Sequence, residues 1–280
     1  MEINELLDRY EILYPEHESI SDLRRAYTDK DLSSLFRIVT DSNKDNLRKL
    51  IMEDNKWKLW PLLDEYVETQ FTKAFKSFLV NDAEIWNDCF SRGQLQSKLW
   101  LVEELKKLKI ELGTVFLCAG WYATLATMLF ESDIKVDKVR SFDIDESCVD
   151  IAETFNKPWF VDNWRFKSIT QDIMNIDYNK HVWQCWSNSN NRMSKPIIDS
   201  PDTIINTSCE HIENFKEWYA KIPKGKLVIL QNNNYVDIKE HVNCVSDISE
   251  FVKKAPMSHL MYSGTALLPK YKRFMLIGRV

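Results

Sequence analysis

Residues 114–125 read TVFLCAGWYATL, and this stretch decides the fold class. An apolar run meets a single glycine, Gly120, and a second apolar segment follows directly. A buried strand that enters a helix through a glycine turn is how nucleotide-binding α/β folds begin. Their fingerprint usually holds two or three glycines, so the stretch predicts either a glycine-poor ligand loop or a core strand followed by a core helix.

The spacing of apolar residues divides the chain into two halves. Residues 1–108 repeat apolar residues at steps of three and four, which predicts helices throughout. From residue 109 onward, short apolar runs alternate with helical stretches, which predicts a mainly parallel sheet with right-handed crossovers. The last two runs predict an antiparallel hairpin, with KYKR (270–273) on its solvated edge. We therefore expect a helical N-terminal domain over 1–108 and a Rossmann-like α/β domain over 109–280.

Composition and charge narrow the function classes. With 37 basic and 42 acidic residues, the net charge of −5 gives no basic surface for broad nucleic-acid binding. Six scattered cysteines without a C-x-x-C pair, and an acidic N-terminus without a secretory pattern, predict a reducing, cytoplasmic setting. The uncharged segment 112–130 fits a buried strand, turn and helix better than a membrane span. Residues 178–201 form a long, polar connection without a regular pattern, which predicts an irregular lid or substrate loop.

Polar side chains follow each predicted strand, at the edge where open parallel sheets bind ligands. Asp143 stands 23 residues after Gly120, where an acid can accept the hydrogen bonds of a ribose diol. After the third strand, Asp172 could accept the amino hydrogen of an adenine. The fourth strand ends in INTSCEHI (205–212) and the fifth in QNNNY (231–235), which places further polar groups at the same edge.

Over about residues 110–280 the chain resembles the class I S-adenosylmethionine-dependent methyltransferases. The segments that carry the resemblance are VFLCAGWYATLA, FDIDESCVDIA, QDI, DTIINTSCEHI and KIPKGKLVILQ. It implies a Rossmann-like seven-stranded sheet of order 3-2-1-4-5-7-6 with strand 7 antiparallel. It also implies S-adenosyl-L-methionine as cofactor and methyl transfer as the activity.

The resemblance assigns roles by position. The loop after the first strand would pass under the methionine moiety, Asp143 would hold the ribose hydroxyls, and Ile144 would pack on the adenine. Asp172 would hydrogen-bond the adenine, and residues 206–210 would line the methyl-transfer face. The predicted cofactor-binding residues are Cys118, Ala119, Gly120, Trp121, Tyr122, Asp143, Ile144, Gln171, Asp172, Ile173, Asn206, Thr207 and Ser208.

The first loop departs from the family, which usually has an acid and two or three glycines there. This chain has Leu117-Cys118-Ala119-Gly120-Trp121-Tyr122 instead. Ala119 can stand in for a glycine, because a methyl group gives the smallest obstruction to a close backbone approach. S-adenosylmethionine has no pyrophosphate to cradle, so it demands less of the loop than a dinucleotide does.

Methyl transfer requires in-line positioning and a base for the acceptor's proton. The candidates are His211 and Glu210, whose carboxylate could orient the imidazole; the alternative is that both only begin the next helix. Cys209, His211, His241 and Cys244 are zinc-type ligands, but C-x-H with H-x-x-C is not a standard spacing. No metal site is therefore predicted.

The leading hypothesis is a methyltransferase whose helical half caps the site and selects the acceptor. Three alternatives compete with it. The first is a non-catalytic binding or assembly protein with a degenerate loop. The second is an aminobutanoyl transferase similar to nicotianamine synthases, echoed by VFLCAGWYAT and SFDID without the Gly-Ser-Gly-Pro core. An NAD-dependent oxidoreductase is disfavoured because no G-x-G-x-x-G is present. Net charge mildly favours a small-molecule acceptor, while a protein side chain or a specific RNA stays open.

Overall fold

The structure is a computed structural model that describes Cys89 and residues 92–187, 191–268 and 270–280. Most of the predicted helical domain (1–108) lies outside these residues, apart from its last helix, and residues 101–280 form one compact unit. In chain order the elements are α1 (Arg92–Leu108), β1 (Gly113–Cys118), α2 (Thr124–Phe130), β2 (Val136–Asp143), α3 (Cys148–Phe155), α4 (Lys157–Val161), β3 (Phe166–Thr170), a 3₁₀ turn (Ile173–Asn175), β4 (His181–Trp183), β5 (Trp186–Ser187), β6 (Arg192–Met193), β7 (Ile197–Asp199), β8 (Thr203–Asn206), a 3₁₀ turn (Cys209–His211), α5 (Phe215–Ala220), β9 (Leu227–Asn233), α6 (Ile248–Lys254), β10 (His259–Leu267) and β11 (Lys272–Arg279).

Seven strands form the central sheet in the order β10-β11-β9-β8-β1-β2-β3. The pairs β1–β2, β1–β8, β2–β3 and β8–β9 are parallel, and β11 is antiparallel to both of its neighbours. Numbered along the chain, the sheet strands follow 3-2-1-4-5-7-6 with the seventh reversed. This confirms the predicted sheet. It also places the reversal of strand order between β1 and β8, where such sheets open a crevice at the carboxyl ends.

Burial along the strands explains why these segments pair as they do. All seven residues of β9 are buried, and β1 ends in four consecutive buried residues. Continuous buried runs are typical of strands covered on both faces. Strand β10 has no fully buried residue, as suits the edge of the sheet. None of the helices in the described ranges combines the length and the apolar character that a membrane span requires.

The long polar connection folds into two small antiparallel pairs, β4–β7 and β5–β6. A buried ion pair fastens it to the sheet, with Arg140 Nε of β2 2.7 Å from Asp199 Oδ2 at the end of β7. Trp183 Nε1 donates to the same oxygen at 2.7 Å, and Arg140 also donates to the carbonyl of Trp164 at 2.8 Å. The connection predicted as irregular therefore has strand pairing and a fixed anchor.

Replacing Asp199 with alanine should lower the free energy of unfolding by about 3–5 kcal/mol, because Arg140 would be left buried without its partner. Burial alone would raise the pKa of Asp199, but Arg140 and Trp183 hold it below its usual range. A carboxyl whose folded pKa is depressed contributes stability above its unfolded pKa, and loses it as the pH falls through the folded value. Urea unfolding at about pH 7 and at about pH 3 measures both effects.

The matched control is Asp162→Ala, which removes an exposed ion pair 3.6 Å from Arg165. Exposed pairs contribute only about 0–1 kcal/mol. Equal losses in the two variants would contradict the structural role given to Asp199.

His181 of β4 should make the protein less stable in mild acid. Its ring meets Phe142 edge-on at 5.0 Å, and its Nε2 has no hydrogen-bond partner among the described residues. Burial lowers the pKa of His181, so between its unfolded and folded pKa values the unfolded chain binds more protons. The free energy of unfolding should therefore fall from about pH 7 to about pH 5, and fall less in His181→Phe. Parallel slopes for the two proteins in urea unfolding would refute this.

Candidate functional site

The carboxyl ends of β1, β2 and β8 meet at the point where the strand order reverses. Cys118, the last residue of β1, pairs with Phe142 on one side and with Asn206, the last residue of β8, on the other. Asp143 ends β2 and pairs with Thr170 of β3. The loops predicted to bind the cofactor are therefore neighbours in space, as a site at this edge requires.

The loop after β1 has a left-handed backbone at every second residue. Ala119 and Trp121 have φ of 50°, and Ala123 has φ of 51°, although none of them is glycine. Each such residue costs about 1–2 kcal/mol relative to glycine. Gly120 serves a different purpose, because a Cβ there would clash with Ser141 Oγ of β2 unless that side chain moved. The close approach predicted for this loop is thus made by Gly120, while its strained residues carry side chains.

Hydrogen bonds to the neighbouring elements hold the strained loop in place. The N–H of Gly120 donates to the carbonyl of Phe142 at 2.9 Å, and the N–H of Trp121 donates to Asp143 Oδ2 at 2.8 Å. The side-chain amide of Asn156 donates to the carbonyl of Ala123 at 3.2 Å. Strain persists in proteins where the surroundings over-determine the backbone, and such sites are often functional.

Asp143 stands between the loop and the solvent with capacity left on both oxygens. Oδ2 accepts the N–H of Trp121, and Oδ1 accepts the N–H of Asp145 at 3.1 Å. Because each carboxylate oxygen can accept two hydrogen bonds, each can still take one hydroxyl. The next residue, Ile144, is 74% exposed and supplies apolar surface beside the carboxylate.

Four residues that were predicted to contact the cofactor differ in whether their side chains are accessible at the carboxyl edge of the sheet. Asp172 Oδ1 caps the 3₁₀ turn by accepting the N–H of Met174 at 2.8 Å, and the Gln171 amide donates to the carbonyl of Asn175 at 3.1 Å. The side chains of Cys118 and Ile173 are buried in the core. Burial raises the pKa of the Cys118 thiol to about 12. Cys118 and Ile173 could therefore contact a ligand only through their backbone atoms.

Trp121 and Tyr122 stack on each other with their ring centroids 4.3 Å apart, and both are half-buried beside the loop. Because aromatic faces offer apolar contact area, this pair can border a planar ligand group. The prediction that Trp121 and Tyr122 line the site is compatible with this placement.

Asn206 presents an unused donor at the carboxyl end of β8. The residue is fully buried, and its Oδ1 accepts the N–H of Ser208 at 2.8 Å. Its Nδ2 finds no partner within the part of the chain that the structure describes. Because leaving a buried donor unpaired costs about 1–3 kcal/mol, a polar ligand group at this edge would remove that cost.

The carboxylate of Glu210 is bound by two other side chains rather than by His211. Its Oε1 accepts from Arg273 at 2.6 Å and from Asn233 Nδ2 at 2.8 Å, and the guanidinium also donates to the carbonyl of Thr207. This corrects the prediction that the hydrogen bonds of Glu210 orient the imidazole of His211. Burial opposes the charge of Arg273, but Glu210 outweighs that effect and raises the pKa of Arg273.

Arg273 is the residue that sequence reasoning missed. It was expected on a solvated hairpin edge, yet its side chain is buried at the start of β11. The sequence signal for its burial was its place directly before the apolar run FMLIG. In the structure it lies opposite the polar end of β9, QNNN. Lys272, one residue earlier, is exposed as the prediction requires.

His211 lies at the solvent side of the same turn. Its Nδ1 is 3.1 Å from the carbonyl of Glu240, and its ring meets His241 edge-on with centroids 4.7 Å apart. Although the residue keeps an exposed edge, partial burial lowers the pKa of its imidazole. A neutral imidazole near pH 7 can accept a proton. The role of His211 as a base stays a prediction that this geometry allows.

A cavity of about 240 Å³ lies at the opposite edge of the sheet, away from these residues. Its lining residues are Glu111, Asp202, Thr203, Gly225, Lys226, Leu227 and Arg279. Thr203 and Leu227 begin β8 and β9, so the cavity is at the amino ends of the strands. Ligands of open parallel sheets bind at the carboxyl ends, and the candidate site is therefore not this cavity.

Comparison with known proteins gives similarity in structure only. No protein-family profile matches the chain, and no curated protein matches it in sequence. Among solved structures, the magnesium protoporphyrin IX methyltransferase of Synechocystis, with bound S-adenosylmethionine, is 15% identical; the match covers 86% of this chain and 98% of that chain, with a TM-score of 0.46. The N-methyltransferase NodS of Bradyrhizobium japonicum, with S-adenosylhomocysteine, is 8% identical, with 75% and 97% covered and a TM-score of 0.47.

A third similar structure is a S-adenosylmethionine-dependent methyltransferase of Clostridium acetobutylicum. It is 11% identical, and the match covers 74% of this chain and 98% of that one, with a TM-score of 0.45. For this chain, the fold assignment rests on the strand order given above.

Replacing Ala119 with glycine should stabilise the protein, because glycine adopts a left-handed backbone without steric cost. The expected gain in free energy of unfolding is about 0.5–1 kcal/mol, the relief of strain less the added freedom of the unfolded chain. Ala126→Gly is the matched control: it lies inside α2, where glycine should instead cost about 1 kcal/mol. Urea unfolding that moved both variants in the same direction would contradict the strain assigned to the loop.

Proposed function

We propose that this protein is an S-adenosylmethionine-dependent methyltransferase whose α/β unit binds the cofactor at the carboxyl edge of the sheet. One observation carries the proposal: a tethered loop and the carboxylate of Asp143 meet at the reversal of strand order. Sheets of this kind bind nucleotide ligands at that point.

The residues at this edge suit the groups of the cofactor. The spare lone pairs of Asp143 match the two hydroxyl donors of a ribose, and exposed Ile144 offers an apolar face for the adenine. The unpaired amide of Asn206 can donate to a polar group of the ligand. Gly120 lets the loop backbone come close to β2, as suits a loop that would pass under the methionine moiety.

The cofactor supplies a methyl group already activated on a sulfonium, so the chain needs only to bind, orient and accept a proton. Neither Cys118 nor Cys209, which lie at this edge, suits a covalent enzyme intermediate. Cys118 and Cys209 are fully buried, and burial raises the pKa of both thiols. Direct transfer with His211 as the base for the acceptor is the simplest assignment.

We propose a small molecule as the acceptor, because the net charge of −5 provides no broad basic surface for nucleic acid. The helical N-terminal half would select it. Turnover assays with candidate small molecules and macromolecules distinguish these acceptors once cofactor binding is measured.

A non-catalytic binding protein is the second candidate, and the first loop favours it. Ala119, Trp121 and Ala123 carry side chains where a left-handed backbone favours glycine. An aminobutanoyl transferase is the third candidate. The reaction products separate them: methyl transfer leaves S-adenosylhomocysteine, aminobutanoyl transfer leaves methylthioadenosine, and a binding protein leaves the cofactor intact.

Asp143→Asn should weaken S-adenosylhomocysteine binding by roughly 30-fold in Kd, because charge-assisted hydrogen bonds to the ribose are worth about 2 kcal/mol more than the neutral ones that remain. Asparagine keeps one acceptor for the loop, so the fold should be preserved. Isothermal titration calorimetry measures Kd, and near-ultraviolet circular dichroism checks the fold.

The control is Asp150→Asn, an exposed carboxylate on α3 whose removal should leave Kd unchanged.

Because a ligand that binds only the folded state raises the melting temperature, S-adenosylhomocysteine should stabilise the wild type while NAD should not. Binding equal in wild type and Asp143→Asn would remove the ribose assignment. Absence of binding to the wild type would favour the non-catalytic candidate.

A further inference from the structure

Two imidazoles and one carboxylate converge beside the candidate site. Glu210, His211 and His241 each offer one ligand atom, and these atoms all lie within 4.8 Å of one another. Glu210 and His211 belong to the turn after β8, whereas His241 comes from the loop after β9. Residues from two separate loops are therefore brought to one point at the carboxyl edge.

The hydrogen bonds of both imidazoles fix which nitrogen is free. His211 Nδ1 is 3.1 Å from the carbonyl of Glu240, and His241 Nδ1 is 2.5 Å from the carbonyl of Tyr235. A carbonyl has no hydrogen to give, so each Nδ1 must be the donor. In the neutral imidazole, each Nε2 then carries a lone pair. Histidines that bind metal ions almost always donate their other ring nitrogen to a carbonyl or carboxylate in this way.

The carboxylate of Glu210 has one oxygen in use and one without a partner. Oε1 accepts from Arg273 and Asn233, whereas Oε2 is buried with no hydrogen-bond partner in the described part of the chain. Only 4% of the residue is exposed, so solvent does not readily compensate for that missing partner. Because the ligand atoms of Glu210 and the two histidines lie within 4.8 Å of one another, a cation could satisfy this unpaired carboxylate.

Further hydrogen bonds lock the two loops together. Asn243 donates its N–H to the carbonyl of Glu210 at 2.8 Å and its side-chain amide to the carbonyl of Cys209 at 3.0 Å. Lys254 Nζ donates to Asn243 Oδ1 at 3.2 Å. The ligand residues are thus held near one another before anything binds, which reduces the cost of ordering them.

We propose that Glu210, His211 and His241 bind one divalent transition-metal ion of the Zn²⁺ or Co²⁺ type. Two imidazole nitrogens and one carboxylate oxygen suit such ions better than Mg²⁺ or Ca²⁺, which prefer oxygen ligands. Around an ion with ligands at about 2.0–2.2 Å, neighbouring ligand atoms are about 3–3.5 Å apart, so the side-chain tips must close by about 1 Å.

The thiols considered in the sequence are not part of this group. Cys209 Sγ is fully buried and points to the carbonyl of Asn206 at 3.4 Å, and Cys244 Sγ lies 3.4 Å from Asn233 Oδ1. Of the four zinc-type ligands considered from the sequence, the two histidines do lie close together, and the third ligand is the carboxylate of Glu210.

The charges around the site indicate what would complete the coordination. Arg273 already balances the charge of Glu210, so a divalent ion would keep its positive charge uncompensated. Three protein ligands also leave open positions, as in catalytic rather than structural sites. Both features favour an anionic oxygen as the remaining ligand.

This consequence, unlike the metal site itself, rests on the proposed methyl transfer: the acceptor would be a hydroxyl compound. In that case His211 would bind the ion and would not act as the base assigned above. The hydroxyl proton of the acceptor would leave to solvent when its oxygen binds the ion, which would lower the pKa of that hydroxyl. The oxygen then forms a bond to the methyl carbon as the carbon–sulfur bond breaks. The products are a methyl ether and S-adenosylhomocysteine.

The test is a titration of chelator-treated full-length protein with Co²⁺, followed by its visible d–d absorption. The wild type should bind one equivalent saturably, and His211→Ala and His241→Ala should each weaken binding by at least about 100-fold, because even the loss of a supporting partner costs 10–100-fold. His259→Ala, an exposed histidine on β10, and Cys244→Ser should leave binding unchanged. Near-ultraviolet circular dichroism confirms that all variants are folded.

Absence of saturable one-equivalent binding by the wild type would overturn the metal site, as would retention of that binding by both histidine variants. Calorimetry with S-adenosylhomocysteine in the presence of chelator tests the proposed function separately. A protein that binds Co²⁺ but not the adenosyl ligand would retain the metal site and lose the methyltransferase assignment.

Discussion

The buried ion pair between Arg273 and Glu210 holds the β8, β9 and β11 side of the candidate site together, because it joins the beginning of β11 to the turn after β8 and, through Asn233, to the end of β9. Arg273 belongs to β11 and Glu210 to the turn after β8, and Asn233 at the end of β9 donates to the same carboxylate oxygen. Either charge buried alone would cost several kcal/mol. Because separating the two charges is so costly, the ion pair fixes the position of the turn and of His211 within it.

The reversed direction of β11 explains how a cation reaches this edge. In a purely parallel sheet, only residues at the ends of strands lie at the carboxyl edge. Strand β11 runs antiparallel to β9 and places Arg273 opposite Asn233, the last residue of β9. The beginning of one reversed strand thus supplies a guanidinium to the region where the loops after β8 and β9 meet. The antiparallel strand contributes to the site as well as to the sheet.

The sequence predicted the sheet and the residues at its carboxyl edge, because strand and helix periodicities and strand-end positions are local properties. It could not predict the partners of those residues. Arg273 was expected in solvent because its neighbours in KYKR are charged, yet a carboxylate 63 residues earlier in the chain makes its burial favourable. The connection that contains Asp199 was expected to be irregular, because its own sequence has no periodic pattern. Its anchor is Arg140, which lies in a distant part of the chain. Such pairings depend on the tertiary structure and leave no periodic signal.

Hydrogen bonds also explain how a loop with one glycine holds three other residues in a left-handed backbone. The left-handed residues Ala119, Trp121 and Ala123 cost free energy, and the hydrogen bonds to Phe142, Asp143 and Asn156 offset that cost. Asp143 is then both an anchor of the loop and the group predicted to bind the ribose. Because its oxygens keep spare lone pairs, the two roles are compatible, and a bound ribose would add hydrogen bonds to a carboxylate that the loop has already oriented. Cofactor binding and loop order are therefore expected to be coupled through this single side chain.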